Sequence, residues 1–396
     1  MLAGRLARPA GFVAASMSLV AVFLSSGTPI PLYNTYRVGN GITNADLALT
    51  TVIYLVSTAL SLLVLGRLSN HLGRRPVAVA AVLSSILGCL VLMHVSTLPM
   101  LVIGRVLQGL ACGVASGALG AMVIDLAPRT RWQWLPAVIT SSAPPFAIPL
   151  GALVSGALVE YGPAPRQLGY ELAAIVLAVC GVLLLLCPEP TARTRGALRS
   201  LRPRVHVPQG AARIVVAAGA TLVATWSFSG FYQAFAPSLA ADYLGTTNAL
   251  MIALVFSSIV VLSPVGGAIT GGLLPVHALR CGLVVFAVSI GLVLVALHAA
   301  AIVPFLVASA VAGIAQGAAN GGGMRSVLVR VGPADRAGTL STLYLISYGG
   351  AALPGLVAGR LADTVALPDI GIGYAGLVLV AAVVALLAGR NTAGTR

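Results

Sequence analysis

Long apolar stretches recur along the whole chain, and short polar segments separate them. A stretch of ~20 apolar residues can cross a ~30 Å hydrocarbon layer as a helix that rises about 1.5 Å per residue. The alternation of apolar and polar residues over ~10-residue segments that is typical of membrane β-barrels does not occur. The pattern predicts an all-α membrane protein with twelve spans, at residues 12–33, 46–66, 76–94, 99–123, 136–159, 168–187, 213–236, 249–270, 279–298, 302–325, 337–359 and 371–389.

The spans fall into two sets of six on either side of a segment rich in proline and arginine. That segment lacks apolar periodicity and favours a linker. We predict a first six-helix half at residues 1–187, a cytoplasmic linker at 188–212 and a second six-helix half at 213–396. Spans four and ten resemble each other, because glycines 109, 113 and 117 recur as glycines 313, 317 and 321. Two six-helix halves of the same orientation are one architecture of secondary transporters.

The positions of the arginines predict how the spans are oriented. The 396-residue chain has a net charge of +14, and all 23 of its basic residues are arginine. With the amino terminus inside, only Arg37, Arg166 and Arg360 fall in external loops, and Arg105 lies within a span. Because positively charged loops stay in the cytoplasm, both termini are expected there, in a plasma or inner membrane. The charge then reflects topology and the anionic inner leaflet, and it does not indicate nucleic-acid binding.

Missing motifs exclude several classes of function. A chain without lysine cannot contain the phosphate-binding loop GxxxxGK[ST] of a primary pump. It also has no HExxH, no pair of carboxylates within a span and no cluster of cysteine and histidine, so catalytic chemistry is not expected. We predict a protein that is not an enzyme and needs no cofactor or metal. Its expected partners are the lipid bilayer, a small-molecule substrate and protons, and it is expected to act as a monomer.

The polar segment between spans two and three reads GRLSNHLGRRP over residues 66–76. It resembles the loop 2–3 signature of the major facilitator superfamily, which runs Gly, three residues, Asp, a basic residue, any residue, Gly, any residue and two basic positions. In that family the loop latches the two halves in the outward-open state, together with an acid at the inner end of helix 4. The resemblance assigns this latch to Gly66, Asn70, His71, Gly73, Arg74, Arg75 and Asp125.

The chain departs from the loop signature where the family has Asp. Asn70 occupies that position, and His71 fills the basic position after it. An uncharged amide replaces the carboxylate that would form an ion pair with an arginine, so the latch is expected to be weaker. The alternative is that the arginines of this loop serve only as determinants of topology.

Span four is similar to the R-x-x-Q-G signature of the same family, through Arg105, Gln108, Gly109 and Gly113. The resemblance implies a role in coupling. A charge deep in lipid costs at least ~2.5–3.5 kcal/mol, so Arg105 is expected to face protein or a water-filled cavity, with snorkelling to the outer surface as the alternative. Glycines spaced by four allow a neighbouring helix to approach closely, which suits either a moving helix or plain packing.

Span five contains PLGALVSGALVEYGP, which is similar to the helix 5 signature of the drug/proton antiporter branch. The match is carried by Pro149, Gly151 and Gly156, whereas Ala152 stands where the signature has proline. The resemblance, which covers the whole chain through the twelve-helix layout, implies an antiporter for efflux and drug resistance. We therefore expect a secondary active transporter that exports a small neutral, weakly acidic or amphipathic molecule in exchange for protons.

The acidic residues leave the proton coupling without an obvious carrier. All nine fall at span ends or in loops, which argues against cationic substrates that need a buried counter-charge. Asp46, at the mouth of span two, is the candidate proton site, with a helix cap as the alternative. An uncoupled facilitator or exchanger, an importer, and a non-transporting membrane sensor of the same fold therefore remain open.

A substrate cavity is expected near the midplane between the halves. Polar and aromatic residues within the spans mark its candidate lining, although each is also compatible with ordinary packing. These candidates are Tyr54, Trp226, Phe228, Tyr232, Gln233, Gln316, Asn320, Tyr344 and Tyr348.

Overall fold

A computed structural model describes residues 6–128, 133–203, 205–208 and 210–390 of the chain. Within these ranges the secondary structure is helical, without strands. The helices are α1 (Arg8–Gly27), α2 (Tyr33–Asn40), α3 (Asn44–Leu65), α4 (Ser69–Leu72), α5 (Arg74–Leu92), α6 (Leu98–Leu126), α7 (Leu135–Tyr161), α8 (Leu168–Leu186), α9 (Ala197–Ser200), α10 (Ala212–Asp242), α11 (Ala249–Ser258), α12 (Ser263–Ile269), α13 (Pro275–His298), α14 (Ile302–Leu328), α15 (Pro333–Leu361) and α16 (Leu367–Arg390).

The twelve predicted spans are confirmed: the described residues contain twelve segments long and apolar enough to cross a membrane. The eighth span is one segment, Ala249–Ile269, made of α11 and α12 with a turn at residues 259–262. Pro264 lies in the first turn of α12, where a backbone N–H has no acceptor within the helix, so that its missing N–H costs no hydrogen bond. In contrast, α7 continues through Pro144, Pro145 and Pro149.

The predicted end of the first span at residue 33 is wrong. Helix α1 ends at Gly27, and a turn leads into the separate helix α2. Pro29 and Pro31 explain the difference, because proline has no N–H to donate to the carbonyl four residues earlier and its ring clashes with that turn. Apolar character continues through this segment, so hydropathy alone extended the span too far.

The described helices divide into two compact units. Unit 1 comprises the chain up to Asn40 and Ile53–Pro203, where α1 packs against α6, α7 and α8, and α5 packs against α6 and α8. Unit 2 comprises Gly41–Val52 and the chain after Pro203, where α10 packs against α14, α15 and α16, and α13 packs against α14. Helix α3 is thus shared between the units. Its first turns lie in unit 2, where Ser238 Oγ donates to Asn44 Oδ1 at 2.6 Å.

Corresponding glycines of α6 and α14 perform the same packing task in the two units. A Cβ on Gly113 would lie 2.5 Å from the Thr58 carbonyl oxygen of α3, and one on Gly317 would overlap the Ser263 carbonyl oxygen of α12. Helices α6 and α14 therefore approach their neighbours backbone to backbone. This close packing is one of the two roles that the sequence suggests for these glycines.

Candidate functional site

Arg105 lies in the interior of unit 1. Its side chain is 0% exposed, and its guanidinium carbon lies 4.1 Å above the centre of the Tyr54 ring. Nη1 donates to the Ser26 carbonyl oxygen at 2.9 Å and to Gln108 Oε1 at 2.8 Å. Gln108 in turn donates from Nε2 to the Ser25 carbonyl oxygen at 2.8 Å. Arg105 faces protein, as we expected, and does not snorkel to a surface.

The acceptors for Arg105 and Gln108 exist because α1 ends inside the bundle. The last carbonyls of a helix have no partner within it. Pro29 has no N–H for the Ser25 carbonyl, and the Ile30 N–H donates to Gly27, which leaves the Ser26 carbonyl free. These carbonyls also carry the negative end of the helix dipole, which stabilises the cation. The prolines after α1 therefore create the binding site for the Arg105 side chain.

Hydroxyl groups extend this hydrogen-bond network to Ser85 and Tyr54. Ser25 Oγ and Ser85 Oγ lie 2.7 Å apart, which links α1 to α5. The Tyr54 hydroxyl donates to Ser26 Oγ at 3.4 Å, so the ring that stacks on Arg105 is itself attached to α1. We call the set Ser25, Ser26, Tyr54, Ser85, Arg105 and Gln108 the polar core of unit 1.

The loop between α3 and α5 closes around a glycine with a positive φ. Gly73 has a φ of 99°, a conformation that other residues rarely adopt. A Cβ on Gly73 would also lie 2.7 Å from Glu189 Oε2. Glu189 accepts from the backbone N–H groups of Arg74 at 2.8 Å and Arg75 at 3.0 Å. Its carboxylate thereby caps the positive end of α5.

Arg74 and Arg75, adjacent in the loop signature, have different partners. Arg74 Nε donates to Asp125 Oδ2 at 3.0 Å, and its Nη1 donates to Ser69 Oγ and to Asn70 Oδ1. Arg75 Nη1 donates to carbonyl oxygens of residues 185 and 187, at the end of α8. Gly66, at the start of the signature, lies against Gly117 of α6. These contacts are all within unit 1, so a latch between the two halves stays a prediction.

The start of the linker also binds this loop. Thr194 donates from its backbone N–H to the His71 carbonyl oxygen at 3.0 Å, and Thr194 Oγ1 lies 2.9 Å from His71 Nδ1. Glu189 and Thr194 were not among the predicted site residues. Their partners lie more than a hundred positions earlier in the chain, so the sequence did not indicate these contacts. For Glu189, the one signal in the sequence was a negative charge next to the end of a helix.

Restoring the family's acid at position 70 is expected to strengthen the loop modestly. The new carboxylate would pair with the Arg74 guanidinium that Asn70 already contacts, and a partly exposed ion pair contributes about 0.2–1 kcal/mol. We expect Asn70→Asp to raise the Tm, and the gain to shrink at high salt. Thermal unfolding of Asn70→Asp, Arg74→Gln and the double variant measures the coupling. An equal effect of Asn70→Asp with and without Arg74 would contradict it.

The residues of the predicted helix 5 signature are packed against α1. Pro149, Gly151 and Gly156 are buried. A Cβ on Gly151 would overlap the Leu24 carbonyl oxygen, and a Cβ on Gly27 would overlap the Ile148 carbonyl oxygen. Helices α1 and α7 therefore cross at backbone contact next to the polar core. The antiporter function that the helix 5 signature implies stays a prediction.

A row of polar side chains runs along α10 and α14 in unit 2; Ser229 and Asn320 are partly exposed, whereas Gln233 and Gln316 are only 8% and 6% exposed. Thr225 Oγ1 donates to Asn320 Oδ1, and Ser229 Oγ donates to Gln316 Oε1, both at 2.9 Å. The amide nitrogens of Asn320 and Gln316 have no acceptor among the described residues. Gln233, one turn beyond Ser229, makes no side-chain hydrogen bond in the described part of the chain.

Two aromatic residues border this row of polar side chains. Trp226 and Tyr348 lie edge to face, with ring centres 5.0 Å apart, and both are partly exposed. Tyr344 lies one turn from Tyr348 on α15 and is 37% exposed. We call Trp226, Ser229, Gln233, Gln316, Asn320 and Tyr348 the amide face. It contains five of the nine predicted cavity residues and no charged side chain.

Four cavity candidates are not part of the amide face: Tyr344, which lies one turn from it, and Phe228, Tyr232 and Tyr54. Phe228 and Tyr232 are fully buried in an aromatic cluster with Phe231, where Tyr232 also stacks on Phe305 with ring centres 5.7 Å apart. The Tyr232 hydroxyl lies 2.5 Å from Ser309 Oγ. Tyr54 belongs to the polar core of unit 1. Phe228 and Tyr232 therefore have a packing role, the alternative that the sequence left open.

Asp46 forms a capping box at the start of α3. Its Oδ2 accepts from the backbone N–H of Thr43 at 2.9 Å, and Thr43 Oγ1 accepts from the Asp46 N–H at 3.2 Å. These reciprocal bonds satisfy free donors at a helix start. Asp46 thus makes the helix cap that was the alternative to a proton site.

The chain matches the Major Facilitator Superfamily over residues 15–277. It belongs to this superfamily. Superfamily membership confirms the resemblance read from the loop and helix signatures, and it indicates a transporter rather than an enzyme. The fold agrees over nearly the whole length. The crystal structure of the nucleoside transporter NupG superposes with a TM-score of 0.73 at 13% identity, over 96% of this chain and 99% of that one.

Two relatives indicate different kinds of substrate within the superfamily. The chain is 28% identical over 217 residues to the uridine/deoxyuridine transporter of Lactococcus lactis subsp. cremoris MG1363, which is 54% of this chain and 43% of that protein. It is 30% identical over 195 residues to the multidrug resistance protein MdtL of Klebsiella pneumoniae subsp. pneumoniae, 47% and 48% of the two chains. The chain thus spans about half the length of the curated relatives it matches.

Proposed function

We propose that the protein is a secondary transporter that carries a small, uncharged, hydrogen-bonding solute by alternating access. It would act in the cell membrane with both termini cytoplasmic, as the positions of the arginines favour. The observation that supports this substrate class is the amide face, where free amide groups stand beside Trp226 and Tyr348 without any charged side chain.

The chemistry of the amide face suits a planar polar molecule. Amide nitrogens donate to carbonyl and hydroxyl oxygens, and the edges and faces of aromatic rings pack against a flat ring system. A cation would lack the buried counter-charge that it needs in such surroundings. Nucleosides combine a ring, carbonyls and hydroxyls, and the likeness to a uridine/deoxyuridine transporter supports that class.

A second candidate is proton-coupled efflux of an amphipathic compound, which the likeness to MdtL favours. This function needs a residue that takes up and releases the proton, and the acidic residues offer no obvious one. The acids of the described helices lie in their first or last turns, and Asp46 is committed to a helix cap. Coupling through a carboxylate would therefore have to use the end of a helix.

Flux measurements in proteoliposomes separate these functions. Radiolabelled uridine, a lipophilic cation and a benzoate anion would each be offered with and without a pH gradient, with a dye that reports internal pH. Saturable uridine movement that is independent of the gradient supports a uniporter for neutral solutes. Movement of the cation together with protons would favour the efflux function and contradict the neutral substrate.

Gln233→Leu is expected to reduce uridine transport about tenfold. One hydrogen bond from Gln233 to the solute would contribute about 1.4 kcal/mol, which corresponds to a tenfold change. The Tm should stay unchanged, since Gln233 makes no side-chain hydrogen bond to the described residues. Initial rates over a range of uridine concentrations give kcat/KM for both proteins.

Gln133→Leu is the matched control, because Gln133 is exposed in the loop before α7. It should transport at the rate of the unchanged protein. A Gln233→Leu protein that transports normally would show that the amide face does not bind the solute.

A further inference from the structure

Only one nitrogen of the Arg105 guanidinium donates hydrogen bonds to the described residues. Nη1 makes two bonds, to the Ser26 carbonyl oxygen and to Gln108 Oε1. Nε and Nη2 are buried and have no hydrogen-bond partner among the described residues. A buried donor without a partner is costly, and more so when it carries charge. The edge formed by Nε and Nη2 is therefore a donor pair without an acceptor.

The charge of Arg105 is only partly balanced within unit 1. The carbonyls at the end of α1 contribute roughly half a negative charge. The carboxylates of this unit are used or placed elsewhere. Asp125 pairs with Arg74, Glu189 caps α5, and Glu160 and Glu171 lie in the last and first turns of α7 and α8. A net positive charge remains in an apolar interior, which favours an anion there.

The protein holds this guanidinium in a fixed orientation. The Tyr54 ring covers one of its faces, and the Ser26 carbonyl and Gln108 hold Nη1. What remains is the side-on edge of the fork, whose parallel N–H groups match the two oxygens of a carboxylate. A spherical anion could accept the same bonds but would not use the planar match.

We infer that the Nε–Nη2 edge of Arg105 is a binding site for a carboxylate, held side-on by two N–H···O bonds. The carboxylate supplies the charge that unit 1 lacks. It belongs either to a free small anion bound as a counter-ion or to a transported acid, and the chemistry of the site is the same for both. This site consists of residues of unit 1, and the inference does not depend on the substrate proposed for the amide face of unit 2.

Ligand-dependent thermal unfolding tests the site in the full-length protein in nanodiscs of neutral lipid. Sodium benzoate at about 100 times its Kd should raise the Tm by about 2–5 °C, and above the Kd the Tm should rise with the logarithm of the benzoate concentration. Sodium chloride at equal ionic strength should give less than a third of that shift. Arg105→Lys keeps the charge but removes the fork, so its benzoate response should be lost. Arg213→Lys, at the exposed start of α10, should respond fully.

Two outcomes would overturn the inference. An equal response of Arg105→Lys would show that the fork is not used, and an equal response to chloride would show that charge alone is recognised. Because Arg105→Lys could fail to fold, the unchanged protein is also measured with 15N-labelled arginine. Benzoate should move one Nε–H signal, and a spectrum without any benzoate-dependent change would exclude the site.

Measuring the flux of benzoate into proteoliposomes distinguishes a transported acid from a bound counter-ion. Labelled benzoate that accumulates inside proteoliposomes, and fails to do so with Arg105→Lys, identifies a transported acid. Benzoate that raises the Tm but does not cross identifies a bound counter-ion. Both results support the site. Neither depends on uridine transport, so failure of the amide-face proposal would leave this test intact.

Discussion

Gly317→Ala is expected to destabilise the protein by about 3 kcal/mol or more. Overpacking a filled interior typically costs about 1–3 kcal/mol, and the cost rises when the obstacle cannot move. Here the new methyl would overlap the Ser263 carbonyl oxygen, which is backbone at the start of α12. Helices α12 and α14 would have to separate. Thermal unfolding and the yield of monodisperse protein measure the effect, and Gly113→Ala should behave similarly in unit 1.

Gly321 provides the matched control on the same face of α14. The nearest atom to a Cβ there is the Gly267 Cα at 3.7 Å, which is an ordinary contact. Alanine favours a helix over glycine by about 0.8–1.0 kcal/mol, so Gly321→Ala should be neutral or slightly stabilising. Equal losses at positions 317 and 321 would mean that helix contact is not what selects glycine at 317.

Hydropathy was sufficient to predict the twelve spans, because the bilayer requires a minimum length of apolar helix. It failed where local chemistry ended a helix within an apolar stretch. The turn after Gly27 and the break between α11 and α12 both involve proline, at Pro29 and at Pro264. In each case the proline was a readable signal, and a span assignment by hydropathy alone ignores it.

The site residues differ in how much of their role the sequence contained. A lone arginine in a span was expected to face protein or a water-filled cavity, with snorkelling as the alternative, and Arg105 faces protein. The hydrogen-bond acceptors of Arg105 could not be predicted from the sequence, because they depend on α1 ending beside α6. On α10 the sequence could not separate Trp226 from Phe228, because that helix is apolar on most of its surface and has no single polar stripe. Their exposure was decided by the neighbours α14, α15 and α16.

Glu189→Gln is expected to destabilise unit 1 by about 2 kcal/mol. Hydrogen bonds to a charged group contribute about 1.5–3 kcal/mol, and Glu189 accepts from the N–H groups of Arg74 and Arg75. An amide would offer one acceptor oxygen, and its NH2 group would face a donor. Thermal unfolding measures the loss. Trypsin cleavage at Arg193 and Arg195 should also accelerate, since this cap positions the start of the linker.

Glu171→Gln removes the same charge from the first turn of α8, where the carboxylate is exposed and makes no hydrogen bond to the described residues. Only the interaction with the helix dipole is lost there, which is worth about 0.3–1 kcal/mol. The difference between the two variants isolates the hydrogen bonds of Glu189. If Glu189→Gln costs no more than Glu171→Gln and trypsin cleavage stays slow, the linker is held by other contacts, of which the pair Thr194 and His71 is the first to test.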